Sequence, residues 1–296
     1  MSLDFLTFAE KLAPYSHSQR LQDVFSLWCN GFDKPGYFVE FGALGGILAS
    51  NTYLLEQLGW QGLVAEPHPA YGGILRRNRK CLISTDCVWT RDNDTVEFLA
   101  VQGKPALSGI SSVDYDDIQN KRGARKEGKV HTVATVTLNS LLEKHGAPQF
   151  IDFLSVDTEG SELSILQSFD FSRFTFGCIC VEHGYSSHRE PLLELLTSKG
   201  YSRIFPELSG HDDWYLHSGL AAAPDSPARD LSVFSRGFCS LPLAPKLGSR
   251  LRILRACYKN LCASESALRM TEKILLSESA TTHDVALLKR LRDKTR

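Results

Sequence analysis

Residues able to do chemistry cluster just past the ends of short apolar runs. The first run, Tyr37-Phe38-Val39-Glu40-Phe41, leads into Gly42-Ala43-Leu44-Gly45-Gly46. Glycines directly after a strand let the backbone turn tightly and let a ligand approach closely. A dinucleotide fingerprint would read G-x-G-x-x-G, with a helix N-terminus aimed at a pyrophosphate. The spacing here is G-x-x-G-G, and Glu40 stands where a pyrophosphate would be unwelcome. A carboxylate at that edge suits a cation, such as an ammonium or a sulfonium. A second run ends in Glu66-Pro67. A carboxylate at the tip of a second strand can accept hydrogen bonds from two ribose hydroxyls. Asp86-Cys87, in the third strand region, falls by topology where an adenine ring would lie.

The densest stretch is Ile151-Asp152-Phe153-Leu154-Ser155-Val156-Asp157-Thr158-Glu159-Gly160-Ser161-Glu162. Asp157 ends an apolar strand, at the edge where open sheets bind ligands. Glu159 and Glu162 open the next helix, where the dipole favours negative charge, and helix capping is an equal reading of Glu162. A fifth strand ends in Val181-Glu182-His183, and a His there can serve as a general base or a metal ligand. Ser209-Gly210-His211-Asp212-Asp213-Trp214-Tyr215-Leu216 returns to the same edge if the last strand runs antiparallel. Asp157, Glu182 and Asp212 or Asp213 would then converge. Asp157, Glu182 and Asp213 together would suit a hard divalent ion, although acidic loops at sheet edges need bind nothing.

These residues need a frame. Apolar runs at 37–41, 62–66, 81–88, 150–156, 175–182 and 201–205 alternate with helical patterns near 48–58, 68–79, 137–145, 160–168 and 188–199. Such alternation predicts a parallel sheet covered by helices on both faces. Residues 4–31 read as helical, with Leu21, Val24, Phe25 and Trp28 on one side. Residues 95–136 add two strand-like pieces, 96–101 and 131–136, around a loop carrying Lys121, Arg122, Arg125, Lys126 and Lys129. Insertions of this kind usually decorate a functional edge, and a solvated basic loop is the plainer reading.

The 296 residues hold 33 basic and 34 acidic side chains, 43% hydrophobic and 23% charged residues, which excludes a disordered or collagen-like chain. No run approaches a membrane span, and the N-terminus lacks a secretory pattern. The eight cysteines show no metal spacing and fit reduced, packed thiols in a cytoplasm. Charge is uneven. Residues 246–296 hold 12 Lys/Arg against 5 Asp/Glu, a balance of +7, which leaves −8 on residues 1–245. We therefore expect an N-terminal helical segment at 1–36, a main domain at 37–217, a linker at 218–245 and a basic helical tail at 246–296.

Several blocks in register resemble the FkbM-type methyltransferases, a family of S-adenosylmethionine-dependent O-methyltransferases. They are Phe38-Val39-Glu40-Phe41-Gly42-Ala43, Ser50-Asn51-Thr52-Tyr53-Leu54-Leu55-Glu56, and Leu58-Gly59-Trp60-Gln61-Gly62-Leu63-Val64-Ala65-Glu66-Pro67, followed by Asn78-Arg79. Further along come Thr137-Leu138-Asn139-Ser140-Leu141-Leu142, the 151–162 block, Val181-Glu182-His183 and Asp212-Asp213-Trp214-Tyr215. The resemblance runs from about Tyr37 to Leu216. It implies an α/β class I methyltransferase fold, Rossmann-like, with a seven-stranded, mostly parallel sheet. It also implies S-adenosylmethionine as cofactor, with Glu40, Gly42 and Ala43 at its methionine part, Glu66 and Pro67 at its ribose, and Asp86 and Cys87 at its adenine. Asp157 would sit where the methyl group meets the acceptor. Leu44 departs from the family, in which many members carry Asn.

The resulting expectation is an O-methyltransferase acting on a hydroxyl of a glycan, sugar-linked intermediate or secondary metabolite. Asp157, His183 and Glu182 are the candidate catalytic residues, and activation by a base or by a metal is undecided. A catalytically inactive methyltransferase-like module recruited through the basic tail is the alternative. A nicotinamide-dependent oxidoreductase lacks the glycine spacing. The tail is expected to dock on the main domain or on a second subunit, with an anionic membrane, phosphorylated carrier or acidic partner as the rival; nucleic acid is not expected.

Overall fold

The computed structural model describes residues 2–31, 34–114 and 118–221. The chain opens with α1 (Ser2–Leu12) and α2 (Gln22–Asn30). It continues through β1 (Tyr37–Phe41), α3 (Tyr53–Gln57), β2 (Gln61–Ala65), α4 (Gly72–Asn78), β3 (Leu82–Ser84) and β4 (Cys87–Val88). Next come β5 (Thr95–Val101), a 3-10 turn at Pro105–Leu107, β6 (Gly109–Ile110), α5 (Ile118–Lys121), β7 (Gly128–Val136) and α6 (Leu138–Lys144). The described chain closes with β8 (Phe150–Val156), α7 (Glu162–Ser168), β9 (Thr175–Glu182), α8 (Arg189–Ser198), β10 (Tyr201–Ile204), α9 (Pro206–Ser209), β11 (Asp212–His217) and α10 (Ser218–Ala221).

The main sheet has seven strands in the order β10-β11-β9-β8-β1-β2-β3. Neighbours are parallel except around β11, which runs antiparallel to both β9 and β10. This is the class I methyltransferase sheet that the sequence resemblance implies. From β1 the chain winds outward through β2 and β3, then crosses back to β8 on the other side of β1. The switch point thus lies between β1 and β8, where an open sheet leaves a crevice beyond its strand ends.

Period-two alternation divides the strand side chains between two cores. Phe38, Val64, Phe153, Cys178, Cys180 and Trp214 face α1 and α2, where Phe5, Phe8, Val24, Phe25 and Leu27 are buried. Phe25 stacks on Trp214 with ring centroids 4.8 Å apart. Val39, Phe41, Leu63, Leu154, Val156, Ile179 and Val181 face the opposite layer of α6, α7 and α8. In α6 the buried Leu138, Leu141 and Leu142 recur at helical spacing, and the side-chain oxygen of Thr137 caps the helix from the Ser140 N–H at 3.2 Å. α1 and α2, together with Leu54 and Leu55 of α3 and Leu75 of α4, therefore cover this face of the sheet.

Two expectations need correction. The run at 81–88 is not one strand: it breaks where the Asp86 N–H turns back to the Ser84 hydroxyl at 3.1 Å. Its second half joins a small sheet of order β4-β7-β5-β6, which includes β6, a strand too short to show periodicity. The first four residues of the expected linker form α10. The rest of the linker and the tail at 246–296 lie outside the described residues. No helix among the described residues is long and apolar enough to cross a membrane.

Candidate active site

β1 and β8 end side by side at the switch point, and this fixes Gly42. Its φ is +77°, and a Cβ there would stand 1.9 Å from the backbone oxygen of Asp157. Only glycine allows this approach. The next residues wrap round Glu66 at the end of β2. The Leu44 N–H donates to Glu66 Oε2 at 2.7 Å, and the His68 N–H donates to Oε1 at 2.8 Å. Each carboxylate oxygen keeps a further lone pair, the capacity needed for a pair of hydroxyls. Burial raises the Glu66 carboxyl to about 7, against the two backbone donors, which lower it. Leu44 pays for its contact with a left-handed backbone at φ +46°.

Glu66 borders two small clefts of about 40 Å³ each. Pro67, Cys87, Val88, Phe98 and Ile110 line one, and Leu44, Ala106, Ser108, Asp157 and Glu159 help line the other. Phe98, Ser108 and Ile110 come from the small sheet and its turns, which thus supply a wall of both clefts. Sequence reading did not single out these three. A strand pattern in an insertion signals the sheet but not the face it covers.

Asp157 shares a side-chain hydrogen bond with Glu182 at the end of β9. Burial pushes the Asp157 carboxyl up to about 7, and nearby Asp212, Glu162 and Glu40 add to the push. The Glu182 carboxyl is raised well above its ordinary value by burial, then by Asp157, Glu159 and Glu162. Both carboxyls are thus shifted toward their protonated forms. Glu182 also lines a larger cavity of about 270 Å³ with Gln19, Glu159, Glu162, His183 and Tyr185. The dyad thus separates the Glu66 clefts from the larger cavity.

Other expected site residues sit elsewhere. Glu40 borders none of these cavities. Its oxygens accept from the Ser50 hydroxyl at 2.9 Å, the Thr52 hydroxyl at 2.5 Å and the Asn51 N–H at 2.6 Å, with Arg79 at 3.4 Å. It anchors the 50–52 loop and is already paired with a cation, which corrects the direct ammonium contact expected for it. Ala43 turns into the core, its carbonyl accepting from the Gly46 N–H. Asp86 pairs with Lys144 at 3.1 Å outside the cleft, whereas Cys87 does line it. Burial pushes the Cys87 thiol up to about 12, which leaves it inert.

His183 is also reassigned. Its Nδ1 accepts the Tyr185 N–H at 3.0 Å, so the neutral ring carries its proton on Nε2, 3.8 Å from Asp213. Burial lowers the ring to about 4. With one nitrogen occupied and the other protonated, it has no free lone pair for base catalysis. Asp213 is held by Arg189 at 2.8 Å and Arg203 at 3.1 Å, away from Asp157. The expected metal trio of Asp157, Glu182 and Asp213 is therefore not assembled. Asp157, Glu159 and Glu182 instead bring carboxylate oxygens within 4.8 Å of one another. Arg125 already pairs with Glu159, which weakens this donor set for a hard divalent ion. In the basic loop, Arg125 is buried and also donates from Nε to the Leu107 carbonyl at 3.0 Å, while Arg122, Lys126 and Lys129 are exposed.

Arg79 is the main residue that sequence reading left without a role. It is buried, bonded to Glu56 at 2.8 Å, to the Gly46 carbonyl at 3.2 Å and to the Thr52 hydroxyl at 2.9 Å. It ties the glycine turn to the 50–52 loop.

No curated protein matches the chain. Among solved structures, the precorrin-6y C5,15-methyltransferase of Geobacter metallireducens GS-15 is matched at 14% identity with a TM-score of 0.33, over 65% of this chain and 84% of that one. The model of the methyltransferase FkbM domain matches residues 40–203, a span that starts at Glu40 and takes in Gly42, Glu66, Asp157 and Glu182. That span exceeds half of the chain, which therefore belongs to the FkbM family of S-adenosylmethionine-dependent methyltransferases.

Proposed function

We propose that the protein is an O-methyltransferase that moves a methyl group to a hydroxyl of a glycan, sugar-linked intermediate or secondary metabolite. One observation carries this reading. Asp157 lines a cleft shared with Glu66 and Gly42, while its hydrogen-bonded partner Glu182 lines the larger cavity. A proton acceptor is thus set between a cofactor region and a space for an acceptor.

The residues present fit S-adenosylmethionine. Glu66 offers spare lone pairs for ribose hydroxyls, Gly42 leaves its backbone open, and Val88, Phe98 and Ile110 offer an apolar bed for a base. When bound, the cofactor supplies an electrophilic methyl group on a sulfonium sulfur. The chain must then orient a hydroxyl in line and take its proton. Asp157 would hold the acceptor hydroxyl and its carboxylate would take the hydroxyl proton as the oxygen gains the methyl group. Glu182, protonated and hydrogen-bonded to Asp157, keeps that carboxylate near neutrality as a base. Alignment contributes several kcal/mol to lowering the barrier.

The test is Asp157→Asn. Methyl transfer should fall about 100-fold or more, while S-adenosylhomocysteine, which carries no sulfonium charge, still binds in a calorimetric titration. Wild-type transfer by the variant would end the base assignment. Binding without turnover on any hydroxyl by the wild-type protein would favour the inactive-module alternative.

A further inference from the structure

Gln19 stands on the boundary between the two parts of the site. It lines the larger cavity with Glu182, and it also lines the cleft that holds Glu66 and Asp157. Its neighbours are fastened. Ser18 pairs with Ala49 in a parallel bridge and donates its hydroxyl to the buried Asp23 at 2.8 Å. The Arg20 N–H donates to Gln22 Oε1 at 2.7 Å, and Gln22 in turn donates from Nε2 to Asp212. The half-buried Gln19 carboxamide itself has no hydrogen-bond partner among the described residues. A polar group held in place by its backbone and left unused is preorganised for a ligand. The residue precedes the matched family span of 40–203.

We infer that Gln19 binds the amino-acid end of S-adenosylmethionine, its amide N–H donating to the cofactor's carboxylate. The inference rests on the placing of the ribose at Glu66, which borders both small clefts. One of them has the apolar bed of Val88 and Ile110, suited to the base. The amino-acid end then extends into the other, which has Leu48, Ala49 and Gln19 in its lining. That cleft offers a carboxylate little else. No Lys or Arg lines it among the described residues, and its charged groups, Glu66, Asp157 and Glu159, are all acids. Ser108, its other neutral polar side chain, is tied to the Val101 N–H at 3.0 Å. Gln19 thus carries the side-chain N–H groups of this lining, and its amide oxygen is left to accept from the ammonium. Because Gln19 also lines the larger cavity, a cofactor held by it is fixed beside the space for an acceptor.

The full chain and its Gln19→Leu and Gln19→Ala variants are titrated calorimetrically with S-adenosylhomocysteine and with methylthioadenosine, which keeps the nucleoside and the thioether but lacks the amino-acid end. S-adenosylhomocysteine should bind both variants about tenfold more weakly than the wild-type protein, as expected for one hydrogen bond to a charged group. Methylthioadenosine should bind all three proteins equally. Thermal unfolding without ligand should coincide, since the side chain has no partner to lose. Unchanged S-adenosylhomocysteine affinity overturns the inference. So does an equal loss for both ligands, which would mean that Gln19 shapes the cleft and does not meet the amino-acid end. The wild-type titration keeps the two readings apart: failure of the wild-type protein to bind S-adenosylhomocysteine would remove the placing of the cofactor itself.

Discussion

Replacing Glu66 by Gln tests whether a buried carboxylate has been kept at the cofactor cleft against the interest of stability. Burial raises its carboxyl from 4.5 to about 7. The native state therefore binds its proton more tightly than the unfolded chain does. Below about pH 4.5 both states are protonated and the full stability is present; it is lost as the pH rises through about 7. At about 1.4 kcal/mol per unit, the loss amounts to about 3 kcal/mol. Gln carries no charge, but its amide offers one acceptor oxygen to two backbone donors, so Leu44 or His68 loses a partner at a cost of about 1–3 kcal/mol. That cost does not depend on pH. Urea unfolding of both proteins at a series of pH values separates the two effects. The difference in unfolding free energy should swing by about 3 kcal/mol in favour of Gln between acid and alkaline conditions, while cofactor affinity falls. A difference independent of pH would refute the desolvation argument.

Leu44→Asn should relieve the left-handed backbone at φ +46° while keeping the N–H bond to Glu66, raising thermal stability by about 1 kcal/mol. An unchanged melting temperature would show that the strain is absent. Arg79→Met leaves Glu40 and Glu56 buried without their cation and should cost about 3–5 kcal/mol. Adding Glu40→Gln should recover part of that loss in denaturant titrations, and no recovery would mean the pairing is not what Arg79 supplies. Gly42→Ala places a methyl group 1.9 Å from the Asp157 carbonyl oxygen, so the ends of β1 and β8 must separate. A shift of roughly 1 Å in Asp157 should lower transfer about 100-fold, and wild-type kinetics would show that Asp157 does not need its present position.

The sheet was legible in the sequence because burial on both faces writes itself as apolar runs. β1, β8 and β9 fall where the pattern places them, and the antiparallel return of β11 follows from its polar turn. The placing of Gly42, Glu66 and Asp157 one step past a strand end, and of Glu182 at one, was legible from the same pattern. What stayed hidden depends on facing. Asp212 and Asp213 are neighbours in sequence, but a strand sends them to opposite sides. Asp212 pairs in register with Glu182 and meets Gln22 and His211, while Asp213 meets two arginines. The same alternation turns Glu40 from the cleft toward Arg79. Arg125 is one basic residue among five in a loop, and only the fold shows that it is carried inward.

The acidic edge also sets stability and activity against each other. In Asp157 the carboxyl is raised from 3.8 to about 7, chiefly by burial. Its stabilising protonated form is complete below about pH 3.8 and is lost as the pH rises through about 7. The form that can accept a proton from a hydroxyl appears over the same interval. Folding thus favours the acid side and catalysis the alkaline side, because one desolvated group serves both. We expect kcat/KM to rise with pH through about 7 while unfolding free energy declines. Replacing Glu182 by Ala removes the hydrogen bond that holds the Asp157 carboxyl down, which should raise the midpoint of the activity profile and leave the rising limb in place. A rate that falls with pH across this interval would mean that the group must be protonated to act, and Asp157 would then not be the base.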